Sequence, residues 1–269
     1  MRLYDKKEKR LIYFSKEASP EFWDEHWDNL ISKVKYTKNI PKVNSSLIIT
    51  KKYLPKDSII LEGGCGLAMT SWYLTLLGYK TIALDYADKT VDFLSKKVPQ
   101  INPMLGDVRN LTLENESVDG YWSFGVIEHF WDGYDEIVQE ANRVIKKDGY
   151  FFVTFPQMSR LRKLKAYFGF FPSYDSSKEY KDFYQFALDS KKVKLQIENM
   201  GFKLDKQIDI GGMKGLKDEI IFIKPILQKI YDSKMIINVI LRKSIDILFS
   251  WFTGHTIILV FKKVDNIDI

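Results

Sequence analysis

Ile59-Ile60-Leu61-Glu62-Gly63-Gly64-Cys65-Gly66-Leu67-Ala68 decides the fold of this chain. An apolar run ends in an acid, and a glycine-dense turn follows. Ala68 to Leu77 then carries apolar residues at helical spacing up to Gly78, a suitable C-terminal cap. Gly63, Gly64 and Gly66 permit positive φ and let the main chain approach a ligand with no Cβ in the way. Strand, tight turn and helix in this order put a ligand at the carboxyl end of the strand, where parallel sheets bind theirs. A dinucleotide fits poorly. Counting its G-x-G-x-x-G fingerprint from Gly64 puts the third glycine at Met69, and a pyrophosphate would meet the carboxylate of Glu62. An acid there suits a ligand that carries hydroxyls and a positive charge.

The segment resembles the first motif of the class I S-adenosylmethionine (SAM) methyltransferases, acidic-x-G-x-G-x-G, with Ala68 in place of the last glycine. That substitution is mild if Ala68 starts the helix, though it narrows the space beside the ligand. The resemblance implies SAM as cofactor and assigns Glu62, Gly63, Gly64, Cys65 and Gly66 to its binding. It continues at Thr81-Ile82-Ala83-Leu84-Asp85, a second apolar strand ending in an acid. By resemblance Asp85 accepts the ribose hydroxyls and Tyr86 lies beside it; the residues themselves also allow Asp85 to cap a helix starting near Ala87. Pro103 to Val108 looks like the third motif, which implies Asp107 at the adenine amino group and the Val108 N–H at the ring. Ser117 to Phe130 resembles the fourth, a strand running into Val126-Ile127-Glu128-His129, and adds Phe124 and Gly125 to the cofactor set. Tyr134 to Lys146 then has one apolar helical face, Lys147-Asp148-Gly149 ends it, and Tyr150 to Phe155 is an aromatic and β-branched strand.

The architecture implied is α/β: a doubly wound, seven-stranded, mostly parallel sheet whose last strand is antiparallel beside the fifth. An N-terminal helical cap would occupy residues 1–57, the core 58–210 and 254–269 with a lid at 157–188, and a mainly helical insertion 211–253. Ser19-Pro20-Glu21 reads as a helix start, and Phe22, Trp23, His26, Trp27, Leu30 and Ile31 share one broad face, whose aromatics either wall the ligand pocket or, as the main expectation, anchor the N-terminal cap by packing. Arg160 to Phe171 interleaves bases with aromatics. In the insertion, Asn238, Arg242, Asp246 and Ser250 make a narrow polar stripe on an otherwise apolar helix from Met235 to Phe252. Such a helix needs burial on most sides, between domains or against a second copy. The sharper alternative is contact with a membrane surface or a lipid-like substrate.

Methyl transfer needs alignment and exclusion of water, and a base only if the acceptor must lose a proton. His129, after the fourth strand, is the candidate catalytic base; Glu128 beside it is a candidate to orient that base or hold an ion. His26 and His255 have no partners at ligand spacing, so no metal is assigned. The favoured activity is methyl transfer to oxygen or nitrogen of a small-molecule or lipid-precursor acceptor. The rivals are a nucleic-acid or protein methyltransferase and a non-catalytic SAM-fold module. No base-flipping tetrapeptide of the Asn-Pro-Pro-Tyr kind follows the fourth strand, so nucleic acid is not an expected partner. The chain has 269 residues, 45% apolar and 28% charged, with a net charge of +6 spread along its length, as in soluble globular proteins. Its single cysteine, Cys65, excludes an intramolecular disulfide and reads as a packing residue. With no apolar leader and no run near the roughly 20 residues of a spanning helix, the expectation is a cytoplasmic protein with a homodimer or peripheral membrane contact open to it.

Overall fold

The chain is described here by a computed structural model covering residues 1–41 and 43–264. The last five residues assigned to the core lie outside the described residues. The N-terminal part contains β1 (Arg2–Asp5), β2 (Arg10–Phe14), α1 (Pro20–Ile31) and α2 (Ser45–Tyr53). The core begins with β3 (Ile59–Gly63), α3 (Met69–Leu76), β4 (Lys80–Asp85), α4 (Asp88–Lys97) and β5 (Pro103–Leu105). It continues through β6 (Val118–Phe124), α5 (Asp135–Val144), β7 (Ile145–Pro156), α6 (Arg160–Tyr167) and β8 (Phe183–Ala187). After α7 (Ser190–Glu198) and β9 (Phe202–Ile210) come α8 (Gly212–Glu219), α9 (Lys224–Asp232), α10 (Ile236–Thr253) and β10 (Thr256–Lys263).

The strand order β5-β4-β3-β6-β7-β10-β9 is that of the expected sheet. Its strands run parallel except β10, which is antiparallel to both β7 and β9. Central strands buried on both faces read as apolar runs, as β3 and the second half of β7, Tyr150 to Pro156, do. One face packs under α5 through Ile137, Val138, Ala141 and Val144; the other packs Trp122 and Phe152 against Leu47 and Ile49 of α2. α5 ends earlier than expected, because Ile145 already pairs with Val118 as the first residue of β7.

Residues 1–57 are not simply a helical cap. β1 and β2 form a hairpin that pairs with β8 in a second, three-stranded antiparallel sheet. Leu3, Ile12, Phe14 and Phe186 bury their side chains in the main core. β8 is stitched to the end of β7, since the Leu188 N–H donates to the Pro156 carbonyl and the Met158 N–H to the Leu188 carbonyl (both 2.8 Å). The small sheet therefore stands beside the carboxyl ends of the parallel strands.

The insertion is fixed to this frame by a buried charge cluster. Arg162 of α6 donates from Nε to Glu219 (2.9 Å) and from a terminal nitrogen to the Gln157 carbonyl (2.8 Å). Arg2 and Lys165 also pair with Glu219, so the buried carboxylate is held by three cations.

Candidate functional site

β3 and β6 are neighbours whose connections run in opposite directions across the sheet, and a cleft of about 1150 Å3 opens at their carboxyl ends. This is the switch point where open α/β sheets bind ligands. The volume exceeds the ~300–1,000 Å3 of ordinary ligand sites, so a cofactor and a second small molecule fit together.

Of the residues expected to bind cofactor, Glu62, Gly64, Cys65, Asp85, Tyr86, Asp107, Val108, Phe124 and Gly125 line the cleft, as does His129. Gly63 and Gly66 do not. A Cβ on Gly63 would strike the Tyr121 ring, so that glycine serves packing. Gly66 has φ +50, and a Cβ there would stand 2.5 Å from the ring of Trp27. The turn is held from β4: the N–H groups of Gly64 and Cys65 donate to the Leu84 carbonyl (2.8 and 3.0 Å), and that of Gly66 donates to Asp85 Oδ2 (2.7 Å). Gly64 makes this turn at φ +69. Ala68 does not start the helix in a helical conformation. It precedes α3 at φ +48, buried, in the left-handed region that costs a side chain about 1–2 kcal/mol.

Glu62 is not free at the mouth of the turn. It is buried and accepts from the N–H (2.8 Å) and hydroxyl of Ser71, pinning the first turn of α3. Burial pushes its carboxyl up to about 7 against those two bonds, and the charge of Asp85 adds to the rise. Asp85 is likewise raised by burial although amides bond it. Its Oδ1 accepts from the Ala87 N–H (3.0 Å), so it braces the turn into α4, while the cap of that helix is Ala87 itself. Each Asp85 oxygen keeps lone-pair capacity toward the cleft. Burial raises Asp107 too, but the bonds from Arg109 outweigh it and hold the carboxyl below its usual value. Cys65 is buried and its thiol raised by that burial, which suits packing and not nucleophilic attack.

His129 sits on the wall after β6. Its Nδ1 is 2.6 Å from the Tyr184 carbonyl, which can only accept, so Nδ1 carries the proton and Nε2 keeps a free lone pair. Burial lowers the imidazole to about 4, leaving it neutral at neutral pH. Glu128 does not orient it. That side chain is buried, Oε2 has no hydrogen-bond partner among the described residues, and burial pushes the acid up to about 8. Tyr184, carried in by β8, takes the orienting role, and nothing local in the sequence marked it.

The aromatic stripe of α1 also has another job than packing. None of its residues is buried; Trp23 and Trp27 line the cleft, and Trp23 meets His129 edge-on at 5.1 Å. Tyr86 ties this cover down by donating to the Ala18 carbonyl (3.1 Å). Carboxyl groups of Glu17, Asp85, Asp107, Asp132 and Glu136 line the cleft against the guanidinium of Arg109, a field that favours a cationic ligand. Among the described residues no three His, Cys, Asp or Glu side chains cluster to hold a metal ion.

Residues 61–153 match a protein family described as Methyltransferase domain. Over 97 residues the chain is 34% identical to a probable S-adenosylmethionine-dependent methyltransferase of Mycolicibacterium smegmatis, covering 36% of this chain and 37% of that protein. The chain thus matches about a third of the length of such curated relatives. Among solved structures, the [4+2]-cyclase SpnF superposes with a TM-score of 0.57 at 11% identity, covering 94% of this chain and 98% of that one. The Burkholderia thailandensis 1,6-didemethyltoxoflavin-N1-methyltransferase, solved with 1,6-didemethyltoxoflavin and S-adenosylhomocysteine bound, gives 0.56 at 12% identity over 96% of each chain. At such identities these two establish the fold alone. Residues 61–153 thus match the methyltransferase domain family, and over this part the chain is similar to S-adenosylmethionine-dependent methyltransferases.

Proposed function

We propose that the protein is an enzyme that transfers the methyl group of SAM to an oxygen or nitrogen atom of a small-molecule or lipid-precursor acceptor. The observation that carries this reading is a neutral imidazole, held by its Nδ1–H, on the wall of an acid-lined cleft at the switch point of the sheet. The residues fit the cofactor. Asp85 has lone pairs left for two ribose hydroxyls, the Asp107 carboxylate suits an amino group, and the Val108 N–H suits a ring nitrogen. When bound, SAM supplies an electrophilic methyl on a positively charged sulfur, and the carboxyl-lined wall complements that cation.

The chain's own residues then have three tasks. Trp23 and Trp27 exclude water from above, Asp85 and the glycine turn fix the nucleoside end, and His129 Nε2 takes the proton that a hydroxyl or amine loses on alkylation. Calorimetric titration with SAM and S-adenosylhomocysteine, with Asp85→Ala as control, tests the cofactor. Micromolar binding lost in the variant supports the reading; no binding by the folded wild-type chain overturns it. With binding established, phenolic, sugar and prenylated acceptors form the first screen. Tight binding with no methylated product from any acceptor would favour a non-catalytic module.

A further inference from the structure

α10 is amphipathic in the reverse sense. Its polar stripe points into the protein: Asp246 accepts from the Met213 N–H (2.8 Å), Ser250 from the Gly212 N–H (3.0 Å), and Arg242 donates to the Tyr231 carbonyl (2.7 Å). The apolar residues face solvent. Ile236 is 79% exposed and Ile247 81%, with Ile237, Ile240, Leu248 and Trp251 on the same side. The patch continues onto α6, which packs beside α10 and exposes Leu164 and Tyr167, with exposed Phe168 and Phe170 just after it and Arg160 stacked over the Trp251 ring. Ile221 and Phe222, just before α9, and Ile226 in its first turn extend it. Monomeric soluble proteins rarely leave so continuous an apolar face uncovered.

Charge decides what covers it. Lys224, Lys229, Lys234 and Lys243 are exposed around the patch, whereas of the acids in 211–253 Asp232 is the exposed one. Asp218, Glu219 and Asp246 are engaged by Lys214 and Lys217, by Arg162 and by the Met213 amide. A second copy related by a two-fold axis would bring these lysines against themselves. Lipid phosphates would neutralise them, and lysine stems reach from an apolar surface to headgroups. Among the described residues no helix is long and apolar enough to cross a membrane, so contact must lie in the plane of the surface.

We propose that α10, with α6 and the start of α9, docks the protein on an anionic lipid bilayer, α10 lying flat at the headgroup level. The test is sedimentation of the full chain with vesicles of phosphatidylcholine alone and of phosphatidylcholine mixed with phosphatidylglycerol. The expected result is binding to the mixed vesicles that weakens as salt rises. Replacing one of the four lysines by glutamine should lower the partition coefficient about fivefold. The double variant Ile240→Glu/Ile247→Glu should lower it on the order of tenfold or more. Both isoleucines are exposed, so an unchanged melting curve verifies that the variant folds. Wild-type protein that stays in the supernatant with mixed vesicles overturns the proposal. So does a stable wild-type dimer that the same variant splits while vesicle binding is absent; its cover would then be a second copy. The inference rests on the surface and not on the cleft, and S-adenosylhomocysteine titration of the same sample reads the methyltransferase proposal separately.

Discussion

His129 and Ala68 show what single residues contribute and how much of each was readable. The place of His129 after β6 was legible from the pattern around Val126 to Phe130, but its tautomer depends on Tyr184, a partner from a distant strand. With Nδ1–H held by a carbonyl, His129→Ala should lower kcat by about 100-fold or more while the SAM dissociation constant stays within about twofold. Parallel turnover assays and calorimetry check this; unchanged turnover would remove His129 from the mechanism. Because burial holds the ring near 4, the acid limb of kcat/KM should fall near pH 4 and not near the usual 6.5. Ala68 was read as a departure from the glycine pattern, and the structure supplies its cost. A buried alanine at φ +48 sits where glycine would be unstrained, so Ala68→Gly should stabilise the protein by about 1 kcal/mol. Thermal unfolding should show a rise of a few degrees.

At the scale of elements, legibility followed the reach of the contacts. β3, α3, β4 and β6 declared themselves because strand, turn and helix are adjacent in sequence and their apolar runs are buried on both faces. The hairpin of β1 and β2 did not, since its third strand is β8, far along the chain, and a short two-stranded ribbon has no buried face of its own. The polar stripe of α10 was visible, but which side faced the protein depended on amides of α8 that only the fold brings near. Of the two roles the sequence left to α1, packing or walling the pocket, Trp23 and Trp27 take the second. The grip of α1 on the glycine turn is local and steric. Gly66→Ala should weaken S-adenosylhomocysteine binding by about tenfold or more, because the new methyl meets Trp27 and the φ of +50 is unfavourable. Adding Trp27→Ala removes the clash and leaves the backbone strain. A double-mutant cycle on melting temperature should therefore show a coupling of about 1 kcal/mol or more. Strict additivity would mean that the indole does not rest on the turn.

For the whole molecule, the opposing titrations of buried acids and histidines set the pH at which it is most stable. Glu128 and Glu62 are raised, by burial, to about 8 and about 7 from an ordinary 4.5. The folded state keeps protons that the unfolded chain releases, so the stability these groups contribute is complete below pH 4.5 and is lost as pH rises to 8. His129 and His255 lie at about 4 and about 3, again through burial, with Arg162 and Lys214 adding to the fall at His255. The unfolded chain takes up their protons below 6.5 and the folded state resists, so stability falls as pH drops from 6.5. Between 4.5 and 6.5 the two pairs oppose each other, and above 6.5 the carboxyls act alone. The melting temperature should thus peak between pH 4.5 and 6.5 and decline toward pH 8. Glu128→Gln keeps the shape of the protonated acid without its proton equilibrium. Its advantage over wild type should be negligible at pH 4.5 and widen steadily to pH 8, at about 2–4 °C for each kcal/mol in a chain of this size. A gap that stays constant with pH would mean that Glu128 is solvated in the folded state and not buried.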